Sequence, residues 1–86
     1  MFTEIAKLVR TRRGAMSRKT SQSELSHALG YKAGQMMSNC ERALCGLPLK
    51  KVRAFCELTD TPISDVKNSY LDDCEARFDK ATNALA

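Results

Sequence analysis

Apolar positions recur along this chain three and four residues apart, and capping residues, glycines and prolines divide them into five segments. Ile5, Leu8 and Val9 make the first stripe; Thr3 suits its N-cap, Glu4 its first turn, and Gly14 ends it. Leu25, Ala28 and Leu29 make the second. It opens with Ser21-Gln22-Ser23-Glu24, a capping box in which the serine hydroxyl and the glutamate carboxylate each satisfy the other's backbone N–H, and Gly30 closes it. Gln35 to Leu44 reads as a third helix, with Met37, Cys40 and Leu44 inward and Ser38, Asn39 and Arg42 outward. Gly46-Leu47-Pro48 interrupts the pattern. Lys50 to Leu58 then forms a fourth helix, with Val52, Phe55 and Cys56 inward. Thr61 caps, and Pro62 begins, a last helix whose stripe is Ile63, Val66, Tyr70, Cys74, Phe78, Ala81 and Leu85.

No run alternates apolar and polar residues and no hairpin dipeptide occurs, so the expected fold is all-α, five helices with an extended C-terminal one. A helix running from Ile63 to Leu85 projects past so small a body. The economical use of its far stripe is self-association through Tyr70, Cys74, Phe78, Ala81 and Leu85. The alternative is that the last ten residues fray or fold back on the same subunit. The expected division is a body over residues 1–70 and a helical extension over 71–86.

Two short helices joined at a glycine turn, the second showing small polar side chains, have the pattern of a helix-turn-helix. Charge sharpens this. Residues 1–53 carry eleven Lys or Arg against three acidic residues, net +8, and residues 54–86 carry three against seven, net −4. A polyanion meets the first part and avoids the second.

Other chemistries find little support. The four cysteines, at 40, 45, 56 and 74, include no pair two apart and there is one histidine, so no metal site or other cofactor is expected. Cys40 and Cys56 read as small buried side chains; for Cys45 the alternative is an exposed, redox-responsive thiol. His27 reads as a surface histidine. No phosphate-cradling loop, paired histidines or nucleophile with a base is present, so an enzyme is not expected. No apolar run nears the ~20 residues that cross a bilayer, and a cytoplasmic protein, nucleoid-associated when bound to DNA, is expected.

Taken in order, Arg10 four before Gly14, Ser21-Gln22-x-x-Leu25, Leu29-Gly30, Met37-Ser38-x-x-Glu41, Pro48, and Thr61-Pro62-Ile63-Ser64-Asp65-Val66 resemble the Cro/CI-type (lambda-repressor-like) helix-turn-helix proteins. The likeness covers roughly residues 4–70. It implies a five-helix fold and binding of double-stranded DNA, usually as a homodimer, with helix three in the major groove. Position by position, Gly34, Gln35, Ser38 and Asn39 match the base-facing side of that helix. Gln22 matches a residue that approaches phosphate. Arg10 and Glu41 match a structural ion pair. The chain departs from the pattern in one extra residue after Leu29-Gly30, a longer loop before helix two, and Ala43 where the family often has glycine. Helix three is therefore expected to reach Leu44.

The residue chemistry is consistent with that implication. Gln35 and Asn39, four apart, share a face and both carry the amide that pairs bidentately with adenine N6 and N7; Ser38 bonds any base edge. Arg18, Lys19, Lys32, Arg42, Lys50 and Lys51 are the expected phosphate contacts. The expected function is a dimeric (auto)repressor on a palindromic operator. The alternatives are an antitoxin-type autoregulator that also docks a protein partner at the C-terminal helix, and an interaction module without DNA binding.

Overall fold

The computed structural model describes residues 2–85, and for Ala84 and Leu85 the backbone alone. The fold is all-α, with five helices: α1 (Thr3–Gly14), α2 (Gln22–Ala28), α3 (Met36–Glu41), α4 (Val52–Thr59) and α5 (Ile63–Leu85). A 3-10 turn at Leu49–Lys51 leads into α4. No helix among the described residues is long and apolar enough to cross a membrane. Ile5 and Val9 from α1, Leu25 and Leu29 from α2, Met37 and Cys40 from α3, Leu47, Phe55 and Cys56, and Val66 from α5 make one buried cluster.

Local sequence explains α2 well. Its capping box forms as read: Glu24 N–H donates to Ser21 Oγ (3.0 Å) and Ser21 N–H to Glu24 Oε1 (3.2 Å). At its other end Gly30 takes φ +95°, so Gly30 N–H reaches His27 O and Tyr31 N–H reaches Ser26 O, the paired bonds of a Schellman turn.

The end of α3 corrects the sequence reading. The helix stops at Glu41 and does not run to Leu44. Ala43 adopts the left-handed conformation (φ 59°), and its N–H bonds Cys40 O while Leu44 N–H bonds Asn39 O. The same two bonds close α2, here with alanine in the glycine's place. Leu44, expected inward, is exposed, and Leu47 enters the core instead.

Helix α1 is capped from a distance. Thr3 is its first residue and not its cap, and no side chain at Phe2 serves. Asp73 of α5 does so: Glu4 N–H donates to Asp73 Oδ1 (2.8 Å) and Ile5 N–H to Asp73 Oδ2 (3.0 Å). Asp73 is buried, so two of the four orphan amides of α1 are satisfied away from water.

Asp73 also marks where α5 leaves the body. Val66, Tyr70 and Asp73 face inward, and Tyr70 donates its hydroxyl to Leu47 O. The residues from Cys74 to Asn83 are all exposed. Twenty-three helical residues span ~34 Å, against a molecule of 47 × 25 × 21 Å. The boundary placed after residue 70 thus falls inside a continuous helix, three residues before Asp73.

Candidate nucleic-acid interface

Three contacts fix how α3 sits against the rest. Ser26, fully buried on α2, accepts from Met37 N–H (3.0 Å) while its hydroxyl donates to Gln22 O (2.9 Å). It thereby satisfies an amide in the first turn of α3, which has no cap of its own. Gly34 lies against α2 so closely that a Cβ there would fall 2.2 Å from Ser23 Oγ. Glu41 supplies the third. Its side chain is 4% exposed, and it accepts from Arg13 Nε (2.6 Å) and Nη2 (3.0 Å) on α1 and from Gln22 Nε2 (3.2 Å) on α2. One carboxylate ties three helices together.

Its electrostatics follow from those contacts. Burial alone raises the Glu41 carboxyl pKa, but the Arg13 and Gln22 hydrogen bonds and the charges of Arg13 and Arg10 outweigh it and hold it below the ordinary carboxylate value. The same hydrogen bond raises the Arg13 pKa.

This arrangement corrects the ion pair expected from the resemblance. Arg13, not Arg10, holds the Glu41 carboxylate; Arg10 Nη1 donates to the Glu41 backbone O at 3.4 Å. Three residues along α1 is nearly one turn, so both arginines point toward α3. Arg13 lies closer to the last turn of α1, where its Nη1 also donates to Thr20 O (3.0 Å).

The polar face of α3 is open. Gln35 is exposed, Ser38 and Asn39 are half-buried, and Gln35 Nε2 donates to Asn39 Oδ1 (3.4 Å), so the two amides lie side by side. Gly34 does not belong to this face in the same way: it is half-buried, and its role is close approach to α2.

Internal partners subdivide the expected phosphate contacts. The Gln22 amide is committed to Glu41. Arg18 pairs with Glu24 (3.3 Å). Lys51 Nζ lies 5.4 Å from the centroid of the Tyr31 ring, a cation–π contact. Arg12 pairs with Asp65 of α5 (2.7 Å). Lys19, Lys32, Arg42 and Lys50 are exposed and form no ion pair among the described residues. His27 is exposed, with Nδ1 3.0 Å from Tyr31 O.

Of the residues assigned to dimerisation, Tyr70 is half-buried, donates its hydroxyl to Leu47 O and also lines the apolar groove beside α5. Cys74, Phe78 and Ala81 are exposed, Phe78 at 67%, and the Leu85 side chain lies outside the described residues. Ile63 (52%) and Leu71 (55%) are exposed as well, and with Leu49 and Val52 they border an apolar groove of about 300 Å³ beside α5. The exposed apolar face of α5 runs through Ile63, Leu71, Cys74 and Phe78; three of these belong to the expected stripe, and Leu71 joins them.

Sequence reasoning missed Ser26, Arg13 and Asp73. Asp73 had a signal, since it follows Val66 and Tyr70 at inward helical spacing. Ser26 sits beside Leu25 on the core side of α2. Arg13 had none beyond its nearness to Gly14. No family model, curated protein or solved structure matches this chain.

Proposed function

We propose that this chain is a sequence-specific DNA-binding transcriptional regulator of the Cro/CI type, a homodimer that represses by occupying a palindromic operator. The observation that carries the reading is α3 itself. It is fixed to α2 through Ser26 and to α1 through Glu41, and it presents the adjacent amides of Gln35 and Asn39 beside Ser38. A reader of base edges needs donors and acceptors held on a rigid element, and paired amides suit adenine in the major groove. Lys19, Lys32, Arg42 and Lys50 supply phosphate contacts that set orientation. Residues 54–86, net −4, hold the acidic side chains that a duplex avoids.

The dimer uses the outward face of α5. Two copies packed antiparallel about Leu71 bring Phe78 of each to the level of Ile63 on the other. Seven residues (~10 Å) separate Leu71 from Phe78, and eight (~12 Å) separate it from Ile63. Each Phe78 then meets the groove bordered by Leu49, Val52 and Ile63. The same exposed Phe78 favours a second reading, an antitoxin-type autoregulator whose α5 docks a different protein.

Binding to DNA upstream of the chain's own gene, followed by fluorescence anisotropy across a salt titration, tests the function. The expected result is a steep salt dependence and a preference for that DNA that disappears in Gln35→Ala/Asn39→Ala. Absence of binding at low salt overturns the reading. Sedimentation tests the dimer: Phe78→Ser gives a monomer if α5 pairs with itself, and a wild type that is monomeric at high concentration points to the second reading.

A further inference from the structure

We propose that Cys40 and Cys45 form a dithiol that peroxide closes into an intramolecular disulfide at the base of α3. Their sulfurs lie 3.8 Å apart. The left-handed turn at Ala43 reverses the chain between them and brings two residues five apart back into contact. The two thiols differ in access. Cys40 is fully buried in the last turn of α3, where its thiol donates to Gly46 O (3.6 Å). Cys45 is half-buried in the loop after α3, free of helical restraint. Cys56 is buried in α4 and Cys74 is exposed on the projecting half of α5. A disulfide is ~2.05 Å long. Closure therefore asks Cys45 to approach by less than ~2 Å, a side-chain rotation with a small loop movement.

Access decides the order of chemistry. Burial, with Cys45 alongside, pushes the Cys40 thiol up to about 12, so the half-buried Cys45 is the sulfur that peroxide meets first. Cys45 thiolate attacks one oxygen of hydrogen peroxide. An S–O bond forms, the O–O bond breaks, and the departing hydroxide becomes water on taking up a proton. Cys40 sulfur then attacks the sulfur of the Cys45 sulfenic acid. The S–S bond forms, the S–O bond breaks, and the leaving hydroxide takes the Cys40 proton as water. Two thiols and one peroxide give one disulfide and two waters.

The bond ties the last turn of α3 to the loop that carries Leu47 into the core, and it removes the Cys40 bond to Gly46. Asn39 and Glu41 flank Cys40 directly, and Arg42 follows Glu41. On the DNA-binding reading, on which this consequence rests, the bridged form binds its operator at least tenfold more weakly, and dithiothreitol restores it.

The test uses the full chain with Cys74→Ala, which removes intermolecular pairing through the exposed thiol. Trypsin cleaves after Arg42 and so separates Cys40 (peptide 33–42) from Cys45 (peptide 43–50). After equimolar hydrogen peroxide and alkylation, mass spectrometry of the folded protein should show these two peptides joined with the loss of two hydrogens. The Cys45→Ala protein should show no joined peptide. In urea the pairing should spread to Cys56. Conversion of Cys45 to sulfinic acid without joined peptides, or equal pairing with Cys56 in the folded protein, overturns the proposal. Anisotropy on the same samples separates the two claims. A bridged protein with undiminished DNA affinity overturns the regulatory consequence. The Cys74→Ala samples are compared only with each other, bridged against reduced, and a reduced wild-type protein that binds no DNA overturns the function and leaves the disulfide standing.

Discussion

Exchanging Arg13 for methionine removes the cation from a nearly buried carboxylate, and exchanging Arg10 for methionine does not. Breaking a buried ion pair from one side costs ~3–5 kcal/mol where both partners are dry. Here the Arg13 side chain is 22% exposed and that of Glu41 is 4% exposed, so water recovers part of the loss. Gln22 also still donates to Glu41. A cost of about 2–3 kcal/mol follows for Arg13→Met. Glu41→Gln keeps the shape and one acceptor and should cost about 1–2 kcal/mol. Arg10→Met loses one long bond to a backbone carbonyl and one of the charges acting on Glu41, both from an exposed side chain and together worth at most about 1 kcal/mol. A domain of this size has ~4–13 kcal/mol in total, so the Arg13 variant is expected to be folded but marginal. Urea unfolding followed by circular dichroism reads all three, with a slope of ~1–2 kcal/mol/M converting 2–3 kcal/mol into a midpoint lowered by ~1–3 M. Because Arg13 and Glu41 touch, the double variant should be less damaged than the sum of the singles, by ~1–2 kcal/mol. Equal losses from Arg10→Met and Arg13→Met would refute the reasoning. So would strict additivity.

Further expectations concern the caps and the pH response. Asp73→Ala strips two charge-assisted bonds from the start of α1 and should cost about 2–3 kcal/mol, with Asp73→Asn near half of that; calorimetry should show the alanine variant melting ~10–20 °C lower. Ala43→Gly relieves a left-handed alanine and should stabilise by roughly 0.5–1 kcal/mol after the added chain entropy, seen as a higher melting temperature. The Glu41 carboxyl is depressed in the folded state, so its contribution is complete above the unfolded pKa, and is lost as pH falls below 4.5 through the lower folded value. Urea midpoints measured downward from pH 6 should therefore fall less steeply in Glu41→Gln than in the wild type.

What was legible in the sequence divides by range. The capping box at Ser21 and Glu24 and the stop at Gly30 are decided within six residues, and both form as read. The five-helix all-α outline follows from spacing of the same short range. The end of α3 was misjudged because alanine favours helix and the apolar spacing continues through Leu44. What stops it is the need to reverse the chain and bury Leu47, which lies outside any local window. Arg13 and Arg10 share a face, and only the packing of α1 on α3 chooses between them. At the candidate interface the residue types of Gln35, Ser38 and Asn39 were readable, and so was the basic segment. That Gln22 and Lys51 are drawn to Glu41 and Tyr31 was not, because those partners meet through the fold. The outward turn of α5, with Tyr70 in and Leu71 out, was equally hidden: both positions are compatible with the apolar spacing.

The cap that Asp73 provides also has a timetable. Glu4 and Ile5 leave the ribosome before the rest of the helical body, and the carboxylate that completes their helix follows 69 residues after Glu4. At ~5–20 residues per second that is a wait of roughly 3–14 s. Throughout it α2, α3 and α4 can assemble against an α1 whose first turn is still hydrated. Helix α1 is therefore the first of the five helices to be made and among the last to be finished, and a chain stalled anywhere between α4 and Asp73 holds a core without its closing clasp.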